Sequence, residues 1–150
     1  MASPEILVVG GGPAGSSAAI WLARAGHQVT LVEAKEYPRD KTCGDGLTPR
    51  AIYQLMDMGF DFDTPAFHRI NGLRSYAGDD LMIEMSWPEH SRYPNWGGVI
   101  RRRDLDEQVA RLAEKEGVTV RQKTTASPVL EDGRVTAVDL NSGGEVERVT

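Results

Sequence analysis

The sequence predicts an α/β fold in which a parallel strand-helix-strand unit carries an inserted antiparallel sheet. Three observations predict it. The apolar run Ile6 to Val9 ends in Gly10 and opens a glycine-rich turn; helical spacing follows and gives way to a second apolar run, Gln28 to Val32; and two β-rich runs later in the chain flank Gly78-Asp79-Asp80. A strand-helix-strand unit of about 30 residues implies a parallel pair joined by a right-handed crossover, whereas a short polar turn between β-rich runs implies an antiparallel hairpin.

Taken in order, Ile6, Leu7, Val8 and Val9 show no alternation, the pattern of a strand buried on both faces. Ala14, Ala18, Trp21, Leu22 and Ala25 recur at helical spacing and mark an apolar face, with Gly26 where a C-terminal glycine belongs. Glu36 to Leu47 is a long polar loop holding Pro38, Gly44 and Gly46. Thr48 then reads as an N-cap and Pro49 as the first residue of a helix that stops at Gly59. Ile70 to Tyr76 and Leu81 to Met85 form the hairpin, so residues 60–99 read as an inserted segment, leaving 1–59 and 100–150 as the main domain. Asp104 and Glu107 make an Asp-x-x-Glu start signal for a helix carrying Leu105, Val109, Leu112 and Ala113 and closed by Gly117. Val118 to Val120 follows as a strand. Val129 to Leu130, Val135 to Leu140 and Val146 to Val149, separated by Asp132-Gly133 and Asn141 to Gly144, make a three-stranded meander. A chain ending on a strand is expected to be the front, truncated part of a longer protein.

The 150 residues suit about one domain with a sizeable core, and the composition excludes disordered and fibrous classes. A formal charge of −5 offers no general attraction to polyanions, so nucleic acid is not an expected partner. The single Cys43 forms no intramolecular disulfide and no sulfur-rich zinc site, and His27, His68 and His90 lack metal spacing, so a reducing cytoplasm and no metal are expected. Met1 to Glu5 lacks the features of a signal peptide, and no window is apolar enough for a membrane span. Membrane contact is expected to be peripheral, at the inner face of the cell membrane.

Gly10, Gly12 and Gly15 spell G-x-G-x-x-G between strand and helix. Gly10 allows the tight turn, Gly12 lets backbone approach a pyrophosphate, and Gly15 lets helix and strand pack closely. Glu33, at the end of the second strand, is placed to accept hydrogen bonds from a ribose and to repel a 2′-phosphate. Cys43-Gly44-Asp45-Gly46 falls just beyond the C-terminal sheet edge, where open α/β folds bind ligands. Its thiol is open to three roles, nucleophile, redox partner or proton donor, beside the plainer one of a small buried hydrophobe. Of Arg101, Arg102 and Arg103, one or two at most serve a common ligand, because neighbouring side chains diverge. Trp87, Tyr93 and Trp96 read equally as an aromatic wall for an apolar substrate or as packing of the inserted sheet.

GGGPAG, the strand end at Glu33, PRDKTCGDGLTPRA at 38–51 and RRRDLDEQV at 101–109 together resemble the geranylgeranyl reductase family of FAD-dependent oxidoreductases, most closely its actinobacterial, menaquinone reductase-like members. The resemblance implies FAD, a Rossmann-type domain and a p-hydroxybenzoate hydroxylase-like arrangement with the inserted sheet on the substrate side. It places Gly10, Gly12, Pro13, Ala14 and Gly15 at the pyrophosphate, Glu33 at the ribose, and Cys43, Gly44 and Gly46 near the flavin. Arg102 falls on an FAD-contacting arginine, Ala126 on a backbone position beside the adenine, and Cys43 on a cysteine tied to reduction.

The function so implied is reduction of carbon–carbon double bonds in a polyprenyl substrate, a geranylgeranyl lipid or the menaquinone side chain, with NAD(P)H or a ferredoxin-like protein as electron donor. Missing downstream Gly-Asp and lipid-tunnel segments imply that these residues alone are inactive. Two rivals stay open: an aromatic monooxygenase or halogenase-like enzyme on the same frame, although no W-x-W-x-x-P element occurs, and a nucleotide-binding module without redox turnover.

Overall fold

The computed structural model describes residues 6–90 and 92–150, so the signal-peptide reading of Met1 to Glu5 lies outside the described residues. In chain order the elements are β1 (Ile6–Val9), α1 (Pro13–Arg24), β2 (Val29–Val32), β3 (Gly46–Leu47), α2 (Pro49–Met58), β4 (His68–Ile70), β5 (Gly72–Ala77), β6 (Leu81–Ser86), β7 (Gly97–Val99), α3 (Arg102–Lys115), β8 (Thr119–Arg121), β9 (Thr124–Glu131), β10 (Arg134–Ser142) and β11 (Glu145–Val149). They fall into two compact units. One joins the chain up to Asp40 to Leu105–Thr150; the other is Lys41–Asp104, which takes in the 60–99 segment together with residues the sequence reading left in the main domain.

In the first unit β1, β2 and β8 form a parallel sheet in the order β1-β2-β8, with Ile6 opposite Val29 and Val32 opposite Arg121. β1 and β2, joined through α1, pair in parallel as expected. Two details differ from expectation. The face of α1 that is buried carries Ser16, Ala19 and Ile20, whereas Ala14, Ala18, Trp21 and Ala25 are exposed and Trp21 lies under the Arg24 guanidinium. A helix made almost wholly of small and apolar residues has no polar face to break the symmetry, and close approach to the sheet favours its smallest side chains. β1, expected to be buried on both faces, is only half-buried and Val9 is 61% exposed, because β1 is an edge strand among the described residues.

The antiparallel meander β11-β10-β9 completes this unit, and its strands run longer than their apolar centres suggested. Pro128 is tolerated within β9 because that strand lies at the sheet edge, where a missing N–H leaves no partner unsatisfied. Val32, Leu140 and Val149 form a buried cluster against which Leu7, Ala126 and Val138 pack.

The second unit is built on α2, which begins at the Thr48 N-cap, whose hydroxyl accepts the Ala51 N–H, and ends at Gly59 in the left-handed conformation that a helix terminus demands. Ile52, Leu55 and Met58 fall on its buried face. β3, β7 and β4 form a small antiparallel sheet, and β5 pairs with β6 as the expected hairpin. The register sets Leu73 opposite Met85, Ser75 opposite Ile83 and Ala77 opposite Leu81, so one face of that hairpin is apolar, and its large side chains are exposed.

α3 starts at Arg102, ahead of Asp104, which sits inside the first turn rather than capping it. The acceptor comes from the polar loop: Asp45 Oδ1 receives the Arg102 N–H at 3.0 Å. A side chain distant in sequence has replaced the local cap, which spacing alone does not reveal. Leu140, 1% exposed, anchors the meander to β2; Leu140→Ala is expected to cost about 2–5 kcal/mol of unfolding free energy in urea denaturation.

Candidate functional site

The turn between β1 and α1 is held from both ends. Gly10 N–H donates to the Val32 carbonyl at 2.8 Å, and Ser16 N–H to the Gly12 carbonyl at 2.9 Å. A Cβ at Gly15 would overlap the carbonyl oxygen of Gly10, and one at Gly11 would overlap the Tyr37 hydroxyl. Glycine is therefore a steric requirement at both positions. At Gly10 the same test meets open space. Gly12 is the N-cap of α1 without a side-chain acceptor, and Pro13 occupies the first turn, so no helix side chain occupies the N–H groups there. Ala14 is exposed in that turn. The start of a helix whose N-cap has no side-chain hydrogen bond is a fitting seat for a pyrophosphate.

Glu33 follows β2 and is 6% exposed. Its Oε2 accepts the Gly11 N–H at 3.0 Å and Arg39 Nη2 at 2.9 Å, and its Oε1 accepts the Lys35 N–H at 3.1 Å. The acid at the strand end is thus tied directly to the glycine turn. Arg39 continues the chain of charge, donating through Nη1 to Asp106 Oδ2 at 2.9 Å, while Asp106 in α3 is fully buried. Tyr37 packs against the Arg39 guanidinium, donates its hydroxyl to the Gly11 carbonyl and fixes its own N–H on Gln122 Oε1 at 2.7 Å. Burial pushes the Glu33 carboxyl up, but the Lys35 N–H, the Arg39 hydrogen bond and charge, and the Gly11 N–H together hold it below the usual carboxylate range. Tyr37 is pushed up to about 12, first by burial and then by the Glu33 charge. An ionised carboxylate beside open glycine backbone accepts ribose hydroxyls and repels a 2′-phosphate. Ala126, expected at the adenine side, lies in β9, pairs with Leu140 of β10 and packs on the Val32 cluster.

In the second unit, Cys43 is exposed. The Asp45 N–H and the Arg102 side chain lower its thiol, both by hydrogen bonding to the sulfur. Asp45 itself takes a left-handed backbone conformation between Gly44 and Gly46, and its carboxylate caps α3 at Arg102. The loop therefore brings Cys43, Asp45 and Arg102 together. Arg101 instead pairs with Asp104 at 2.9 Å, the ordinary surface role. Trp96 packs edge-on against Phe62 and Phe67, whereas Tyr93 packs edge-on against Tyr53 and stacks on the His90 ring. Trp87 Nε1 is buried without a hydrogen-bond partner among the described residues.

Sequence reasoning singled out Glu33 but not Tyr37, Arg39 or Asp106. A signal for Asp106 existed: it shares the buried stripe of α3 with Val109, Ala110 and Ala113, and an acid on an apolar stripe needs a buried cation. Because the folded-state value of Glu33 is depressed, its stabilisation is complete above the ordinary carboxylate value and is lost as pH falls through the lowered one. Glu33→Gln is expected to flatten the dependence of unfolding free energy on pH in that acid window. Arg39→Leu, which strands two buried carboxylates, is expected to cost about 3–5 kcal/mol in urea denaturation.

A menaquinone reductase of Mycolicibacterium smegmatis is 41% identical over 144 residues, 95% of this chain and 35% of that protein. A digeranylgeranylglycerophospholipid reductase of Sulfolobus acidocaldarius is 31% identical over 149 residues, 97% of this chain and 31% of its own length. The chain thus spans about a third of these relatives. Among solved structures, the myxobacterial chondrochloren halogenase, an FAD-dependent enzyme, superposes with a TM-score of 0.86 at 24% identity over 97% of this chain and 35% of that one, a likeness of fold. The glycine turn, the ionised Glu33 and the open helix start fit FAD as cofactor, and the FAD binding domain model matches residues 3–150. The chain belongs to the FAD binding domain family.

Proposed function

We propose that the protein of natural length is an FAD-dependent oxidoreductase that saturates a carbon–carbon double bond of a polyprenyl substrate, a menaquinone side chain or a geranylgeranyl lipid. The observation that carries this reading is the Cys43 loop. An isolated alkene offers no carbonyl to hold charge, so reduction needs a proton delivered to one carbon and a hydride to the other. Cys43 Sγ gives the proton and is left as thiolate, which the Asp45 N–H and Arg102 stabilise. Bound FAD supplies the hydride when reduced. Gly10 to Gly15 hold the pyrophosphate and Glu33 the ribose.

The inserted segment supports the substrate class. Leu73, Leu81, Ile83 and Met85 form an exposed apolar face of the kind a polyprenyl chain requires. No helix among the described residues is long and apolar enough to cross a membrane, so we assign contact with the bilayer that holds such a lipid to peripheral docking. Electrons come from NAD(P)H or a ferredoxin-like donor.

The test begins with the absorbance spectrum of the purified protein, then anaerobic reduction and reoxidation with a polyprenyl quinone. Bound flavin that reoxidises while the lipid, its ring returned to the quinone before analysis, keeps two added hydrogens by mass supports the reading; a gain that disappears when the ring is reoxidised overturns it, and reoxidation by oxygen alone points to a monooxygenase. Cys43→Ala is expected to retain FAD and lower the reoxidation rate by about 10²–10⁴-fold.

A further inference from the structure

We propose that Arg39 and Asp106 are positioning residues for nucleotide recognition: Arg39 fixes the Glu33 carboxylate toward a single ribose hydroxyl, and Asp106 fixes Arg39. The inference rests on the reading of Glu33 as the ribose acceptor and adds what orients it.

A carboxylate offers about four acceptor directions. Three of those on Glu33 are occupied, by the Gly11 N–H, the Lys35 N–H and Arg39 Nη2. One remains for a ligand. Two of the donors, the Gly11 N–H and Arg39, bond Oε2 and the third, the Lys35 N–H, bonds Oε1, so rotation of the carboxylate would break bonds at both oxygens. The backbone donors are fixed by the fold. Arg39 is fixed only by what it touches, and its second fork ends on Asp106, a fully buried acid in α3. Tyr37 covers one face of the guanidinium.

The arrangement is costly for a purely structural tie. Arg39 has 10% of its side chain exposed, its Nε is buried without a partner among the described residues, and it joins two acids whose burial carries its own penalty. An apolar contact between the strand end and α3 would hold the same elements at lower cost. What an apolar contact does not do is keep a buried carboxylate ionised and aimed beside the glycine turn. The arginine does both, and an ionised carboxylate so held suits a hydroxyl donor.

The experiment is a thermodynamic cycle in the protein of natural length, stripped of flavin and titrated with FAD by fluorescence, with thermal melts confirming folding. Glu33→Gln is expected to weaken FAD about tenfold, the worth of a hydrogen bond to a charged group. Asp106→Asn, which preserves shape, is expected to weaken it by about 3–10-fold, yet to add nothing in the Glu33→Gln background. Arg39→Lys, which keeps the charge but loses the fork, is expected to fall between wild type and Glu33→Gln. Independent, multiplying losses, or full affinity in both Asp106→Asn and Arg39→Lys, overturn the positioning role while leaving FAD binding intact. Equal affinity of wild type and Glu33→Gln overturns it through Glu33. A wild-type protein that binds no FAD removes the underlying reading as well.

Discussion

The bridge from Glu33 through Arg39 to Asp106 is the interaction around which the first unit is organised. It joins three separate stretches of chain: the end of β2, the polar segment after it and the first turns of α3. Through the Gly11 N–H it reaches a fourth, the glycine turn. Each link is charge-assisted and lies away from water, so each is stronger than a surface pair and more expensive to leave incomplete. That expense explains the surrounding order. Tyr37 lies beside the guanidinium, and Gly11 must lack a side chain so that the Tyr37 hydroxyl can reach its carbonyl.

The loop at Cys43 solves a different problem with the same economy of residues. Asp45 adopts a left-handed backbone that turns the chain sharply, its N–H hydrogen-bonds the thiol, and its carboxylate caps α3 at Arg102. Because Arg102 also hydrogen-bonds the Cys43 sulfur, the cap and the lowered thiol are two results of one contact set. A substitution at Asp45 would therefore reach the helix start and the cysteine together.

Legibility in the sequence followed the range of the interaction. The glycine turn, Glu33, the Thr48 cap, the Gly59 terminus and the hairpin around Gly78-Asp79-Asp80 are set by neighbours in the chain, and each was readable from spacing. The buried face of α1 is not legible because a run of alanines, glycine and serine gives a weak periodic signal, so proximity to the sheet decides which side turns in. The start of α3 is not legible because its acceptor, Asp45, lies far off in the chain. Arg39 was hidden for the same reason: in sequence it is one charge in the polar run Pro38-Arg39-Asp40-Lys41, where nothing marks it as the buried member.

Electrostatic sign then gives the site a direction. The start of α1, with unoccupied N–H groups, is the positive end of a helix and favours anionic phosphates. The strand end holds the buried Glu33 carboxylate, tied through Arg39 to the buried Asp106, and favours hydrogen-bond donors without negative charge. The Gly11 N–H that donates to Glu33 sets these opposite environments side by side. A ligand with a phosphate next to an unphosphorylated ribose satisfies both at once, and only in one orientation. Reversed, its phosphate would face the acids, and the adenosine half of FAD meets the requirement in the forward sense. With the pyrophosphate at the start of α1 and the ribose on Glu33, as proposed, backbone amides and the charged side chains of the strand end would set the polarity of the nucleotide before any contact with the rings is made.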